Sequence, residues 1–497
     1  MFFSRVLVAS ALLGLSGLVR ADTCEEVDDR TSIEVRFPLE LAYIDEQNDY
    51  WSTSCAALRP SCIIFPKTAS EMALAIRILR NNTENFAIKS GGHSPNSYFA
   101  SIDDGPLIST QRLDQVLLDL DTGVVTLGPG NRLDEVAKEL DGTGWTVVGG
   151  RIGNTGIGGL ILGGGLSYMS AQYGWTSSTV IQYEIVLANG TVTNASATQN
   201  PDLYRALKGG GNNFGVVTSY TLQALQQGDI WGGNLFFAHT DKIGEQLLQA
   251  VADFTLYNPD PKAAVILTAE RAGLDLVDSW IMFVFYDGPS PPDGIFSNFT
   301  DVGPIANTAR RRSYADLIAA SNWVVLPGVQ VQMATETVPL SSSANSSLAF
   351  NDIYQHWRDV SDESRLVPGI IASIAFQPFP RDIARHALES GGDLIDCDDT
   401  VDRLIIELNY QFLLPASYSR MDELMQETYG GVRELVLEYQ ADGTLPEAYL
   451  PVFANYGYFR QDYWGRIRPA SRTFAREVAQ AYDPQGLFRT RTGGWKP

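Results

Sequence analysis

Histidine and cysteine are both scarce in this chain, four of each in 497 residues. The cysteines, Cys24, Cys55, Cys62 and Cys397, contain no Cys-x-x-Cys pair, and no histidine stands at ligand spacing from them. That pattern excludes the usual structural metal sites, and no metal is expected. Positive charge is in deficit as well: 36 Lys and Arg face 58 Asp and Glu, for a net charge of -22. Such a balance argues against nucleic acid or an anionic membrane surface as partner. Long apolar runs are missing except near the start, where Arg5 precedes the run Val6 to Val19 and Val19-Arg20-Ala21 closes it. This reads as a secretory signal over residues 1–21, with small residues where a signal peptidase reads, and nothing comparable recurs to span a membrane.

The acidity suits solubility outside the cell, and five Asn-x-Ser/Thr sequons, at Asn81, Asn189, Asn194, Asn298 and Asn345, offer acceptors for N-glycans on a secretory route. A mature chain of about 475 residues exceeds what one core usually serves, so two domains are expected.

What the sequence has in quantity is glycine, 45 residues of it, and three clusters stand out. Lys89-Ser90-Gly91-Gly92-His93-Ser94-Pro95 places one of the four histidines after a Gly-Gly turn, at the end of the alternating strand Phe86-Ala87-Ile88-Lys89. Glycines there let main-chain N–H groups face an anion at close range. Residues 156–165 hold six glycines, Gly156, Gly158, Gly159, Gly163, Gly164 and Gly165, so the backbone turns tightly or passes against something flat. A third cluster runs Lys208-Gly209-Gly210-Gly211-Asn212-Asn213-Phe214-Gly215-Val216-Val217. Singly, each has a structural reading, since turns and bulges need glycine too.

Local patterns alternate helix and strand through the first half. Thr68-Ala69-Ser70-Glu71 has capping-box spacing, and Met72, Ala75, Ile76 and Leu79 follow on one helical face. Val124-Val125-Thr126-Leu127 reads as a strand, and Asn131 as the cap of a helix carrying Leu133, Val136, Ala137 and Leu140. Ile181 to Val192, with Asn189-Gly190 inside, is a hairpin signal, and Pro201 to Leu207 a short helix opened by proline. After about Gly228 the texture changes to long apolar and aromatic strands, such as Ser279 to Tyr286 and Arg403 to Phe412. Helical stretches between them, including Ile353 to Val360 and Met421 to Tyr439, would cover one face of a broad sheet and leave the other for a ligand.

Taken together, in this order and spacing, the glycine clusters resemble those of the berberine bridge enzyme-like FAD-linked oxidases, fungal type, within the vanillyl-alcohol-oxidase-like superfamily. The resemblance runs from about Leu58 to Phe488 and is thinnest between about Gly228 and Asp393; Tyr482-Asp483-Pro484-Gln485-Gly486-Leu487-Phe488 is similar to the family's closing turn. It implies an α+β fold: a two-lobed FAD-binding domain over 22–228, a substrate-binding domain over 229–450 with a large antiparallel sheet backed by helices, and a C-terminal segment, 451–497, that returns to the FAD domain. It implies FAD as cofactor, bonded covalently through His93, with Ser90, Gly91, Gly92, Ser94, Gly156, Gly158, Gly159, Gly163, Gly164, Gly215 and Val217 around it. Many relatives carry a second flavin bond from a cysteine before the glycine-rich run; Ile152 stands at that position here, so a single link is expected. The resemblance also favours a disulfide between Cys24 and Cys62. Cys55 and Cys397 either pair or stay free.

The base is less plainly written. Where relatives have Tyr-x-Asn-Tyr on the last strand, this chain reads Phe453-Ala454-Asn455-Tyr456, and Phe453 takes no proton. Tyr456 matches the second tyrosine, with Asn455 as a hydrogen-bonding group beside it, and Tyr410 and Glu407 are alternative bases. Each has a bland counterpart reading as pocket lining or core. Lys89, Arg151 and Lys208 either assist FAD phosphates or are simply solvated, and His239, His356 and His386 are expected on surfaces or helices. The reaction expected is oxidation of an alcohol, amine or activated C–H of a small molecule, in natural-product chemistry, with O2 as electron acceptor. A carbohydrate oxidase and a flavin-binding protein without turnover are the alternatives.

Overall fold

The computed structural model describes residues 22–497, so the secretory-signal reading of 1–21 lies outside the described residues. Two small sheets build the first lobe. In one, strands Cys62–Phe65, Pro106–Ser109 and Ala87–Lys89 run parallel, with Glu34–Arg36 antiparallel at the edge. In the other, five antiparallel strands are ordered Val116–Leu118, Val124–Leu127, Val216–Gln223, Val180–Val186 and Val192–Ser196. The Asn189-Gly190 hairpin sits between the last two, with Val186 opposite Val192.

The helix Ala69–Asn81 starts where expected, with half of the capping box formed: the Thr68 side chain accepts from Glu71 N, but Glu71 Oε2 accepts from Lys67 N at 2.8 Å rather than from Thr68 N. Its apolar stripe, Met72, Ile76 and Leu79, packs with Phe86, Ile108 and Phe488 into one core. Burying such a stripe is what stabilises a 13-residue helix that propensity alone would leave marginal. The next helix, Leu133–Leu140, is entered one residue later than expected, with Arg132 at the cap. Asn131 instead ties the loop, its Nδ2 donating to the Gln115 and Gly128 carbonyls.

From Ile230 onward the chain builds an eight-stranded antiparallel sheet. Its central order is Ile230–Ala238, Val277–Tyr286, Ala263–Ala272, Ile371–Phe379, Arg403–Phe412 and Gln330–Pro339. Period-2 alternation divides each strand between two faces. On Arg403–Phe412, Leu404, Ile406, Leu408, Tyr410 and Phe412 join a large core with the helices Asp241–Tyr257, Ser343–Asp362 and Tyr418–Ala441. Glu407, Asn409 and Gln411 face the other way, into a cavity shared with the first lobe.

The closing segment comes back to the first lobe. Phe86 N donates to Arg491 O at 2.9 Å, and the Asp483 carboxylate caps a last short helix by accepting from Leu487 N and Phe488 N, each at 2.8 Å. Cys24 and Cys62 form a disulfide across a separation of 38 residues. Cys55 and Cys397 are both free and buried, which settles their alternatives, and burial holds their thiols up at about 11 and about 12. Among the described residues no helix is long and apolar enough to cross a membrane.

Candidate functional site

The first two glycine clusters touch each other. A Cβ on Gly91 would stand 2.5 Å from Gly156 Cα, and one on Gly156 would stand 2.2 Å from Gly91 N, closer than any side chain tolerates. Ser90 locks the pair, its Oγ donating to Pro129 O at 2.6 Å and accepting from Gly158 N at 3.3 Å. Gly92, at φ +66°, turns the chain so that His93 and Ser94 enter the same cavity. The short helix Ile157–Leu162 presents bare backbone there, with open space where a Cβ of Gly159 would be. Gly163 and Gly164 close that helix, and Gly215 and Val217 from the third cluster line the far wall.

His93 lies against Trp51, ring centroids 4.6 Å apart, and its Nε2 is buried with no hydrogen-bond partner. Enclosure away from water holds the imidazole down at about 4, and the nearby Arg132 charge pushes in the same direction. The ring is therefore neutral near pH 7, with a nitrogen lone pair available. Arg132 itself was not singled out by sequence reasoning; it bridges the Asp49 carboxylate and the Gly91 carbonyl, the latter at 3.0 Å. An orphaned ring nitrogen beside two bare glycine backbones fits a flat, phosphate-bearing group such as FAD, held by His93.

In the same cavity four side chains are linked by hydrogen bonds. Arg151 donates through Nη2 to the Tyr456 phenol oxygen, Tyr456 donates to Gln377 Oε1 at 3.3 Å, and Gln377 Nε2 donates to Glu407 Oε2 at 2.7 Å. Burial raises Glu407 above the ordinary carboxylate range despite the opposing Arg151 charge. Tyr456 is raised too, burial outweighing Arg151, so the phenol keeps its proton through the neutral range. Gln377 was missed by sequence reasoning. Its strand, Ile371–Phe379, places Ser373, Ala375 and Gln377 on the cavity face by simple alternation.

Other expected site residues are engaged in structural contacts. Tyr410 points to the opposite face of the sheet from Glu407, fully buried, where it hydrogen-bonds Thr428 Oγ1 at 2.8 Å. Residues three apart on a strand lie on opposite faces, so Tyr410 and Glu407 never share one cavity. Asn455 lines the cavity, but its amide is used by the glycine-rich segment: Nδ2 donates to the Gly159 and Leu160 carbonyls, each at 3.2 Å, and Oδ1 accepts from Gly165 N at 3.1 Å. It positions backbone rather than reacting. Residues 453–456 form an irregular turn, not a strand.

Lys89 is buried in an ion pair with Glu46 at 2.7 Å, and Lys208 donates to Ser390 O at 2.9 Å while lying over the Tyr204 ring, so neither is free for a phosphate. His239, His356 and His386 all sit outside the cavity, engaged by Arg358 and Asp278, by the Glu427 and Thr428 carbonyls, and by Glu389 respectively.

With this geometry in place, comparison with known proteins is informative. Residues 60–196 match the FAD binding domain family model. An FAD-linked oxidoreductase of Arthroderma benhamiae is 43% identical over 469 residues, covering 93% of this chain and 92% of its own. The FAD-dependent monooxygenase prx3 of Penicillium roqueforti is 30% identical, covering 96% of this chain and 94% of its own. Among solved structures, glucooligosaccharide oxidase from Acremonium strictum, with its 6-S-cysteinyl, 8α-N1-histidyl FAD, superposes with a TM-score of 0.75 at 20% identity, covering 93% of this chain and 96% of that one. Berberine bridge enzyme from Eschscholzia californica gives 0.73 at 16% identity, covering 94% and 97%. The chain shares its fold with these two enzymes and belongs to the FAD-linked oxidoreductases.

Proposed function

We propose that this oxidoreductase is an oxidase of small, natural-product-like molecules, with FAD tethered by one covalent bond through His93 and Glu407 as the base that receives the substrate proton. The observation that carries it is the Arg151–Tyr456–Gln377–Glu407 chain, one continuous hydrogen-bonded corner of the same cavity that holds His93. The chemistry that FAD supplies when bound is acceptance of a hydride from carbon, the electrons then passing to O2 as H2O2. Glu407 takes the proton from the substrate O–H or N–H while the hydride leaves the carbon. Tyr456, kept protonated, and Gln377 orient the carboxylate and the substrate heteroatom. Arg151 donates to the phenol oxygen and holds Tyr456 in place.

Ile152 lines the cavity where relatives carry a cysteine, and its alkyl side chain forms no thioether, which supports the single link over the doubly bonded arrangement of an oligosaccharide oxidase. A built acid–base corner also argues against a flavin carrier without turnover. The Cys24–Cys62 disulfide supports action in an oxidising compartment, outside the cell or in the secretory lumen. Of the sequons, Asn81, Asn189, Asn298 and Asn345 are exposed, and Asn345 Nδ2 donates to Thr444 O at 3.2 Å.

The pH dependence of turnover tests the base. Glu407 must be ionised to accept a proton, and burial raises its pKa, so kcat climbs with pH along a limb displaced upward from the ordinary carboxylate range. Glu407→Gln removes that limb and lowers kcat by about 10²–10⁴-fold. A limb that survives the substitution assigns the proton to another group. A rise seen only in strong alkali points to Tyr456 instead.

A further inference from the structure

Beyond the Tyr456–Glu407 corner the cavity continues over the free face of the large sheet, where it meets polar groups that the proposed reaction does not use. Strand register sets Glu270 opposite Ser373 and Ser373 opposite Asn409, one rung across three neighbouring strands. All three line the cavity. Neighbouring strands lie about 4.8 Å apart, so the rung spans about 10 Å, within reach of a side chain as long as glutamate.

These groups have no partner in the protein. Among the described residues nothing donates to or ion-pairs with the Glu270 carboxylate, and burial alone raises its pKa. Asn409 is 6% exposed and its Oδ1 makes no hydrogen bond; Gln411, next along the same face at 7%, leaves Oε1 equally unpaired. Buried acceptors without donors are costly, and a fold that keeps them has them answered by ordered water or by a bound ligand. Arg151 is the one lysine or arginine among the cavity-lining residues described, and it is committed to Tyr456 at the other corner. Further along the same face the wall becomes apolar: Ile281 in the Glu407 rung and Phe283 in the next, with Trp323 stacked on Phe283 at 6.4 Å between centroids.

We propose that the substrate carries a protonated amine, held by the Glu270 carboxylate with the Ser373 and Asn409 oxygens, while its oxidisable carbon lies at Glu407 and Tyr456. This rests on the reading of that corner as the place of oxidation. Asn409 is two residues from Glu407 on one strand, which separates the ammonium site from the reacting carbon by about 7 Å. The aliphatic and aromatic wall at and beyond the Glu407 rung receives a hydrocarbon or aromatic body. The substrate class is therefore an amphipathic amine oxidised away from its nitrogen, in contrast to a neutral polyol, which would leave the Glu270 carboxylate without a counter-charge.

Isothermal titration calorimetry on the purified holoprotein tests this without relying on turnover, using 4-phenylbutylamine, 4-phenylbutan-1-ol and 4-phenylbutanoate as probes. The amine is expected to bind at least about tenfold tighter than the alcohol, with the carboxylate weakest. Glu270→Gln should reduce the amine to the alcohol's affinity and leave the alcohol unchanged. Equal binding of amine and alcohol, absence of amine binding, or an amine preference that survives Glu270→Gln overturns the proposal. Should that variant not fold, the three-ligand series on the native protein still decides. Selective amine binding without flavin reduction by any amine would support this site while defeating the oxidase reading; turnover of neutral alcohols with no amine preference would do the reverse.

Discussion

At the scale of single residues, chemistry and scaffolding separate by which face of a strand a side chain occupies. Glu407 and Tyr410 sit three apart on one strand, and the sheet sends one to the cavity and the other to the helical core. Tyr410→Phe is therefore expected to leave kcat unchanged and to cost about 1 kcal/mol of stability for the lost bond to Thr428, read as a lowered midpoint in urea unfolding. A large loss of kcat with unaltered stability would return Tyr410 to the reaction. That division was legible in the sequence, since alternation alone forbids both residues from one cavity. Asn455 was not legible in the same way: its position in the cavity wall suggests chemistry, and only the Gly159, Leu160 and Gly165 contacts show it holding backbone. Lys89 likewise lies next to the His93 turn, yet the buried partner that claims it, Glu46, is 43 residues away in the chain. Long-range pairing of this kind leaves no local pattern to find.

At the scale of elements, the glycine clusters work as a matched pair of turns. Gly91 and Gly156 approach backbone to backbone because neither carries a Cβ, and Ser90 ties the first loop to the second. Gly91→Ala should force the two loops apart, at a cost of about 1–3 kcal/mol, and lower the flavin-to-protein absorbance ratio of the purified enzyme. Full flavin content together with an unchanged Tm would show that the loops do not need that closeness. The spacing of these clusters announced the cradle, as did the capping box at Thr68 and the hairpin at Asn189-Gly190. What escaped was Arg132, which enters the cradle from a helix cap, and the rung formed by Glu270, Ser373 and Asn409. Each member of that rung stands alone on its strand, and only the strand order brings them together.

At the scale of the whole molecule, two lobes and a returning C-terminal segment enclose one cavity, with the flavin cradle at one end and the free face of the sheet at the other. The segment around Cys24 is fastened to the first sheet by Cys24–Cys62, which closes a loop of separation 38. Cys24→Ala is expected to lower stability by about 2–4 kcal/mol and to make the thermal midpoint insensitive to reductant, whereas the native protein loses stability on reduction. The sequence conveyed the architecture because glycine spacing and strand texture are local. It conveyed the substrate poorly, because the pocket is assembled from side chains that are far apart in the chain and whose shared face depends on register.

His93 is the proposed single tether of FAD, and peptide mapping by mass spectrometry of the denatured holoprotein tests that role most directly. The flavin should remain with the acid-precipitated protein, and one peptide, the one containing His93, should carry the added mass of FAD, while the peptide containing Ile152 carries none. Free FAD in the acid supernatant, or the added mass on a peptide without His93, would contradict it.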